Sequence, residues 1–219
     1  MTLVDNSGAI ATAGVDEVGR GALFGPVVAG AVILTVKTTA ALAELGVTDS
    51  KRLTPARRKA LVKPIQQQAQ AYAIGWASAR EIDRLNILQA SLLAMKRAVN
   101  RLSIVPELCL IDGNQAVPQL GIPQQTVIKG DQTCIEIAAA SILAKVWRDT
   151  LIVRLDQRYP GYDLASNKGY GSPKHRAAIA KLGRSPQHRQ SFKVSTQLTL
   201  LSDEQTGINR LTPIPASTD

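Results

Sequence analysis

With 219 residues, 45% of them hydrophobic and 20% charged, the chain can bury a substantial core without a covalent staple, and aromatics at 4% leave that core mostly aliphatic. The two cysteines, Cys109 and Cys134, sit in apolar surroundings without CxxC spacing or a nearby histidine pattern, which argues against a disulfide framework or a zinc site. The longest apolar run, around 27–36, is too short to span a bilayer and the acid-bearing start has no basic leader, so a cytoplasmic protein with no membrane partner is expected; a net charge of +9 asks for a polyanion.

Residues 11–16 and 27–36 read as strands, β-branched and alanine-rich, joined through the glycine-dense stretch 19–25 into a hairpin-type unit. Thr54 and Pro55 are the N-cap and first-turn signals of a basic helix running toward Gln70, which Pro64 should kink or end. A third strand is expected over 71–77. From 81 to 101, Ile82, Leu85, Leu88, Leu92, Met95 and Val99 recur every three or four residues, the stripe of one amphipathic helix. Short strands at 108–111 and 126–128 run into Asp112-Gly113-Asn114 and Lys129-Gly130-Asp131, turn signals that each carry an aspartate. An alanine-rich helix follows over 135–148 and continues to about Arg158, where Pro160 and Gly161 stop it. A loop over 166–173 and a short basic helix over 173–182 complete the pattern.

Alternating elements of this kind predict an α/β fold: a central mixed sheet of about five strands, helices on both faces, and a C-terminal helical lobe. The expected division is 1–158 for the core, 159–200 for the lobe and 201–219 for a polar tail, mobile or draped on the surface, with no partner motif. Charge is concentrated late in the chain. Residues 141–194 hold eleven Lys and Arg against three Asp, a surplus of eight, which suits a phosphate-backbone footprint better than a diffuse solvating face would.

Three acidic points share one grammar, an apolar strand and then an acid: Asp16 with Glu17, Asp112, and Asp131. Strand ends in open α/β sheets converge on one crevice, so acids distant in sequence can meet in space. Clustered carboxylates repel each other, and oxygen-rich groups of this kind are what Mg²⁺ or Mn²⁺ accept. Taken singly, each Asp is as readily a turn former or a helix N-cap. The glycines Gly19, Gly21 and Gly25 do not make a dinucleotide fingerprint, because Phe24 stands where the last glycine belongs and a strand follows Pro26. A glycine-flanked Arg20 can instead bring backbone N–H groups and a guanidinium close to a nucleic-acid backbone.

Six blocks stand in the order and approximate spacing of ribonuclease HII: Gly14-Val15-Asp16-Glu17-Val18-Gly19-Arg20-Gly21, Asp49-Ser50-Lys51-Arg52-Leu53, Ile111-Asp112-Gly113-Asn114, Lys129-Gly130-Asp131, Ala138-Ala139-Ala140-Ser141-Ile142-Leu143-Ala144-Lys145-Val146, and Asn167-Lys168-Gly169-Tyr170. Over residues 13–194 the chain resembles that family. The resemblance implies a ribonuclease H-like catalytic core and a monomeric, metal-dependent endonuclease. Its substrates would be RNA–DNA hybrids and duplex DNA with a single embedded ribonucleotide, cut on the 5′ side to leave 3′-hydroxyl and 5′-phosphate ends.

The same resemblance implies that Asp16, Glu17, Asp112 and Asp131 are the catalytic, metal-binding acids for a pair of Mg²⁺ or Mn²⁺ ions. It makes Gly19, Arg20, Gly21 and Tyr170 readers of the junction between a ribonucleotide and the next deoxynucleotide, and places Ser50, Lys51, Ser141, Lys145 and Lys168 near the substrate backbone or the acids. Neighbouring strand residues face opposite ways, so Asp16 is expected as the central ligand, with Glu17 past the strand's end in a turn or contributing less directly. Read from the residues, Tyr170 is equally a loop aromatic packing on the core, Ser141 a close-packing helix residue and Lys145 a solvated one. Asn167 stands where relatives often carry histidine. His175 is expected at the surface, and His188 in capping, packing or backbone contact. Two rival readings stay open: a nucleic-acid binder whose acids are turn residues, and a transposase- or resolvase-like nuclease on the same fold, which fits the carboxylates but not Gly19-Arg20-Gly21 with Tyr170.

Overall fold

The computed structural model describes residues 10–194, so the expected tail at 201–219 lies outside the described residues. In chain order the elements are β1 (Thr12–Val18), β2 (Val27–Ile33), α1 (Val36–Glu44), α2 (Pro55–Gln68), β3 (Ala71–Ala77), α3 (Ala79–Leu85), α4 (Ile87–Val99), β4 (Leu108–Asp112), β5 (Gln124–Val127), α5 (Gly130–Thr133), α6 (Ile135–Arg158), α7 (Leu164–Asn167) and α8 (Pro173–Leu182). The five strands form one mixed sheet in the order β3-β2-β1-β4-β5. The first three are antiparallel, while β4 and β5 run parallel to β1. The expected α/β architecture is therefore present.

Alternation along the strands assigns the two faces of the sheet. Ala13, Val15, Ala29, Ala31 and Ile111 pack with Leu92, Met95 and Val99 of α4, while Val32 on the other face joins Leu61 and Ile65 of α2 and the alanines of α6. Gly14, paired with Val32, and Gly30, paired with Asp16, lie on that second face and let α6 lie directly on the sheet. A Cβ on Gly14 would come within 2.2 Å of the Glu136 carbonyl carbon, and one on Gly30 within 2.3 Å of the Ala140 oxygen. Asp16, two residues after Gly14 and paired with Gly30, consequently faces α6.

Several boundaries differ from the sequence expectation. The second strand stops at Ile33 because Thr35 makes a reciprocal capping box with Thr38 and opens α1, an unexpected helix. Helix α2 runs through Pro64 rather than ending there: Leu61 and Ile65, buried on either side of the proline, hold the turn against the core. The single helix expected over 81–101 is two, broken at Asn86. That residue takes φ 72° with ψ 166°, outside the left-handed helical well and strained for any side chain, and its side chain accepts from the Gln89 N–H to cap α4. Strand β5 ends at Val127, leaving Ile128 exposed. Beyond α6, Leu164 and Ile179 share a third apolar cluster with Leu23, Phe24 and Ile152, so the C-terminal elements pack on the segment that follows β1. Among the described residues no helix is long and apolar enough to cross a membrane.

Candidate active site

The acids gather around the parallel pair of β1 and β4. Their last registered partners are Val15 and Ile111, so Asp16 and Asp112 occupy the next positions side by side. Asp112 Oδ1 accepts from the Gly130 N–H at 2.7 Å, which ties the end of β4 to α5 and brings Asp131 alongside. Asp131 Oδ2 accepts from Lys51 Nζ at 3.1 Å. The loop carrying Lys51 is itself fixed by Arg58, whose guanidinium donates to the Ser50 and Leu53 carbonyls. Ser50 and Ser141 meet at 2.9 Å between their hydroxyls, both buried, and the Ser141 hydroxyl favours the charged form of the nearby Asp16 carboxyl.

Two placements correct the strand-end expectation. Asp16 and Glu17 both lie inside β1, paired with Gly30 and Ala29, because β2 continues the ladder to Val18; Glu17 is therefore not in a turn. Asp131 sits in the first turn of α5, not at a strand terminus. Glu17 nevertheless stays in the group, since the β1–β4 register stops at Val15 and the Glu17 carboxylate still feels the Asp112 charge.

Electrostatics divides the acids. Burial first, then Glu17 and Asp112, holds the Asp16 carboxyl well above the ordinary carboxylate range; burial also raises Glu17, against the pull of Arg20 at 3.0 Å. Asp16 Oδ1 accepts from the Glu17 N–H at 2.7 Å. Asp131 has Lys51 and Glu17 has Arg20 as cations, whereas Asp16 has like charges beside it. Among the described residues no group of three or more His, Cys, Asp or Glu side chains is gathered tightly enough to hold a metal ion.

The glycine-flanked turn and Tyr170 are brought together, as their expected partnership requires. Ala22 bridges Tyr170, and the Gly169 carbonyl accepts from the Leu23 and Phe24 N–H groups at 2.8 and 3.2 Å. Gly19 takes φ +90°, with Arg148 Nε only 2.2 Å from where a Cβ would stand, while a Cβ on Gly21 would meet nothing within 4 Å. The Tyr170 ring lies 5.4 Å from the Lys145 ammonium and the same distance from the Arg148 guanidinium. Lys145 is also paired with Asp149 at 3.0 Å. Lys168, in a left-handed conformation, returns its ammonium to the Ala165 carbonyl and caps α7. The Asn167 amide clips this corner, donating to the Tyr162 carbonyl and accepting from the Gly169 N–H.

Three kinds of residue were missed or misplaced by sequence reasoning. His175 is buried, not at the surface, and bonds both the Tyr170 carbonyl and His188, which packs and caps as one of its expected roles had it. Arg148 and Arg189, counted above in the phosphate footprint, are buried and donate to backbone carbonyls. The stripe Ala140, Ala144, Arg148, Ile152 at intervals of four would have placed Arg148 on the inner face of α6. Asp49, in the same block as Ser50, is buried and accepts from the Lys51 N–H at 2.9 Å and the Gln132 amide at 3.4 Å.

A sequence model of the family described as Ribonuclease HII matches residues 13–195. The Ribonuclease HII of Acaryochloris marina is 65% identical over 191 residues, covering 87% of this chain and 96% of that protein. That of Trichodesmium erythraeum is 62% identical over 190 residues, covering 87% and 90%. Among solved structures, the ribonuclease H2 of Pyrococcus horikoshii superposes with a TM-score of 0.71 at 29% identity, covering 84% of this chain and 95% of the other.

Proposed function

The chain belongs to the ribonuclease HII family and is a hydrolytic endoribonuclease acting on RNA–DNA hybrids, and from this premise we propose that it also cuts duplex DNA at single embedded ribonucleotides, using divalent cations held by Asp16, Glu17, Asp112 and Asp131. The observation that carries the reading is Asp16: a carboxylate buried against α6, with Glu17 and Asp112 as like-charged neighbours. An all-oxygen donor set with this excess of negative charge fits Mg²⁺ or Mn²⁺. Arg20 and Lys51, whose side chains are 52% and 80% exposed, stand in for such cations at Glu17 and Asp131. Only the basic partner of each pair is exposed, the Glu17 and Asp131 carboxylates being buried, so Arg20 and Lys51 can swing out to water once a stronger cation takes over the acids.

A pair of bound cations would supply an activated water and stabilise the leaving 3′ oxygen, leaving 3′-hydroxyl and 5′-phosphate ends. The chain's own residues do the rest. The Glu17 N–H holds the Asp16 carboxylate beside the Ser50–Ser141 pair, the Gly130 N–H orients Asp112, and Lys51, once free of Asp131, faces the substrate backbone. The turn at Gly19, Arg20 and Gly21 tests for the ribose 2′-hydroxyl, with Tyr170 offering its ring to the adjoining sugar or base. In this division the core through Arg158 carries the acids, and the lobe that follows carries Tyr170. Lys168 acts through the corner it caps rather than by reaching the substrate.

The test is a labelled duplex containing one ribonucleotide, beside a uniform hybrid and an all-DNA control, with Mg²⁺, with Mn²⁺ and with chelator. Cleavage 5′ of the ribonucleotide, dependent on the metal and abolished by Asp16→Asn while hybrid binding persists, is the expected result. Asp16→Asn cutting at the wild-type rate overturns the site. Cleavage of the all-DNA control points instead to a resolvase-like nuclease, and binding without product under either metal to a non-catalytic binder.

A further inference from the structure

Two guanidinium groups lie in the interior directly behind the turn that follows β1. Arg148, fully buried on α6, donates to the carbonyls of Pro26 at 3.0 Å, Phe24 at 3.0 Å and Lys168 at 2.9 Å. Arg189, 1% exposed in the segment after α8, donates to the carbonyls of Gly25 at 3.0 Å, Arg20 at 2.6 Å and Gly19 at 2.7 Å. All six bonds end on backbone oxygen. Burying one charge is expensive, and burying two of the same sign side by side more so; carbonyl dipoles aimed at them are what makes the arrangement tolerable.

Those bonds dictate where the opposite edge of each peptide points. In a trans peptide the carbonyl of one residue and the N–H of the next lie on opposite sides. With the Gly19 and Arg20 carbonyls turned inward to Arg189, the N–H groups of Arg20 and Gly21 are turned outward, consecutively, as in an anion-binding nest. The open space beyond the Gly21 Cα lies at this same outward corner, so the glycine there is not demanded by packing within the chain. A bulky group approaching from outside is the reason a side chain would be in the way.

We propose that Arg189, backed by Arg148, is a positioning residue that aims the Arg20 and Gly21 N–H groups at an oxygen acceptor of the ribose–phosphate backbone, and thereby sets selectivity for the ribonucleotide junction. The inference rests on the functional reading above and assigns that reading's specificity to a residue far away in sequence. The two guanidinium charges also polarise the peptides they bind, which strengthens the outward donors. Burial and the adjacent Arg148 lower Arg189 to about 9, so it is still charged at neutral pH. Arginine is required because its planar fork spans three carbonyls at once; a lysine ammonium is a point donor.

The test compares wild type with Arg189→Lys on two substrates, the duplex with one ribonucleotide and the uniform hybrid, with melting temperatures recorded alongside. The junction substrate should lose at least tenfold more kcat/KM than the hybrid. Equal losses on both substrates, in step with the melting temperature, mean that Arg189 is merely structural and overturn the proposal. Should the variant not fold, the wild-type protein decides. Backbone amide resonances of Arg20 and Gly21 should shift on adding the ribonucleotide-containing duplex in the absence of divalent metal, and shift less with an all-DNA duplex; no difference between the two also overturns it. Wild type that cuts neither substrate refutes the functional reading itself, an outcome distinct from a failure of Arg189.

Discussion

Nε2 of His175 and Nε2 of His188 face each other at 3.1 Å in a buried pair. The remaining partners settle which ring donates. His175 Nδ1 meets the Tyr170 carbonyl at 2.8 Å and must carry a hydrogen, so its Nε2 accepts when the ring is neutral. His188 Nδ1 accepts from the Ser185 N–H at 2.9 Å, which puts the His188 hydrogen on Nε2. The result is a directional chain from Ser185 through both rings to the backbone of Tyr170.

A proton added to either ring would set two N–H groups against each other. Burial, then His175 and Arg184, lowers His188 to about 4; burial lowers His175 too, against its bond to Tyr170 and the charge of Asp163. The unfolded chain takes up these protons near pH 6.5 and the folded chain only further down, so the unfolded state binds more protons between those values. The pair's contribution is therefore full above about pH 6.5 and falls by on the order of a few kcal/mol as the pH drops toward 4, while Asp16 and Glu17, whose carboxyls folding raises, act in the opposite sense. Urea midpoints at pH 7, 6, 5 and 4 for wild type and His188→Gln check this: the advantage of wild type should shrink toward pH 4, and an advantage constant from 7 to 5 contradicts the neutral pair. Below pH 4.5 a second loss belongs to Glu81, held at about 2 chiefly by Arg97, and should vanish in Glu81→Gln.

Carboxylate crowding predicts a trade between stability and catalysis. Asp16→Asn relieves the repulsion from Glu17 and Asp112 and keeps an oxygen for the Glu17 N–H, so the metal-free variant should melt a few degrees above wild type, about 1 kcal/mol. Millimolar Mg²⁺ or Mn²⁺ should raise the wild-type melting temperature and leave the variant nearly unmoved. Equal metal responses in the two proteins would remove Asp16 from the metal site.

Two glycines two residues apart should behave oppositely. Gly19→Ala places a Cβ 2.2 Å from Arg148 Nε at φ +90° and should destabilise by about 2–3 kcal/mol. Gly21→Ala meets nothing within 4 Å and should stay within about 0.5 kcal/mol of wild type, yet raise KM for the single-ribonucleotide duplex. Denaturant midpoints paired with steady-state kinetics separate them; an unchanged KM in Gly21→Ala would mean that no substrate group approaches there.

Helix α6 carries Ser141, and β1 carries Asp16, so the distance between helix and sheet is a catalytic dimension. Gly30→Ala drives a methyl into the Ala140 carbonyl, 2.3 Å away, and should cost about 1–3 kcal/mol as α6 lifts. Cleavage should fall by tenfold or more at a temperature where the variant is still fully folded, as shown by circular dichroism. Normal kcat in a folded Gly30→Ala would separate the approach of Ser141 to Asp16 from activity.

The amino-acid sequence by itself determined the class of fold and the family, because strand alternation, the Asp- and Gly-bearing turns and the six spaced blocks are local signals. The helices over 135–158 and 173–182 were legible for the same reason. It was less informative at Asn86, where a positive φ broke a continuous apolar stripe, and at Pro64, where packing overrode a breaker. What only the tertiary structure decided is which charges face whom. Arg148 and Arg189 looked like surface bases until six carbonyls 122 to 170 residues away, or 20 in the case of Lys168, closed around them, and His175 looked exposed until His188 met it. Burial of a polar group depends on partners that folding supplies from elsewhere in the chain, and no window of sequence contains them.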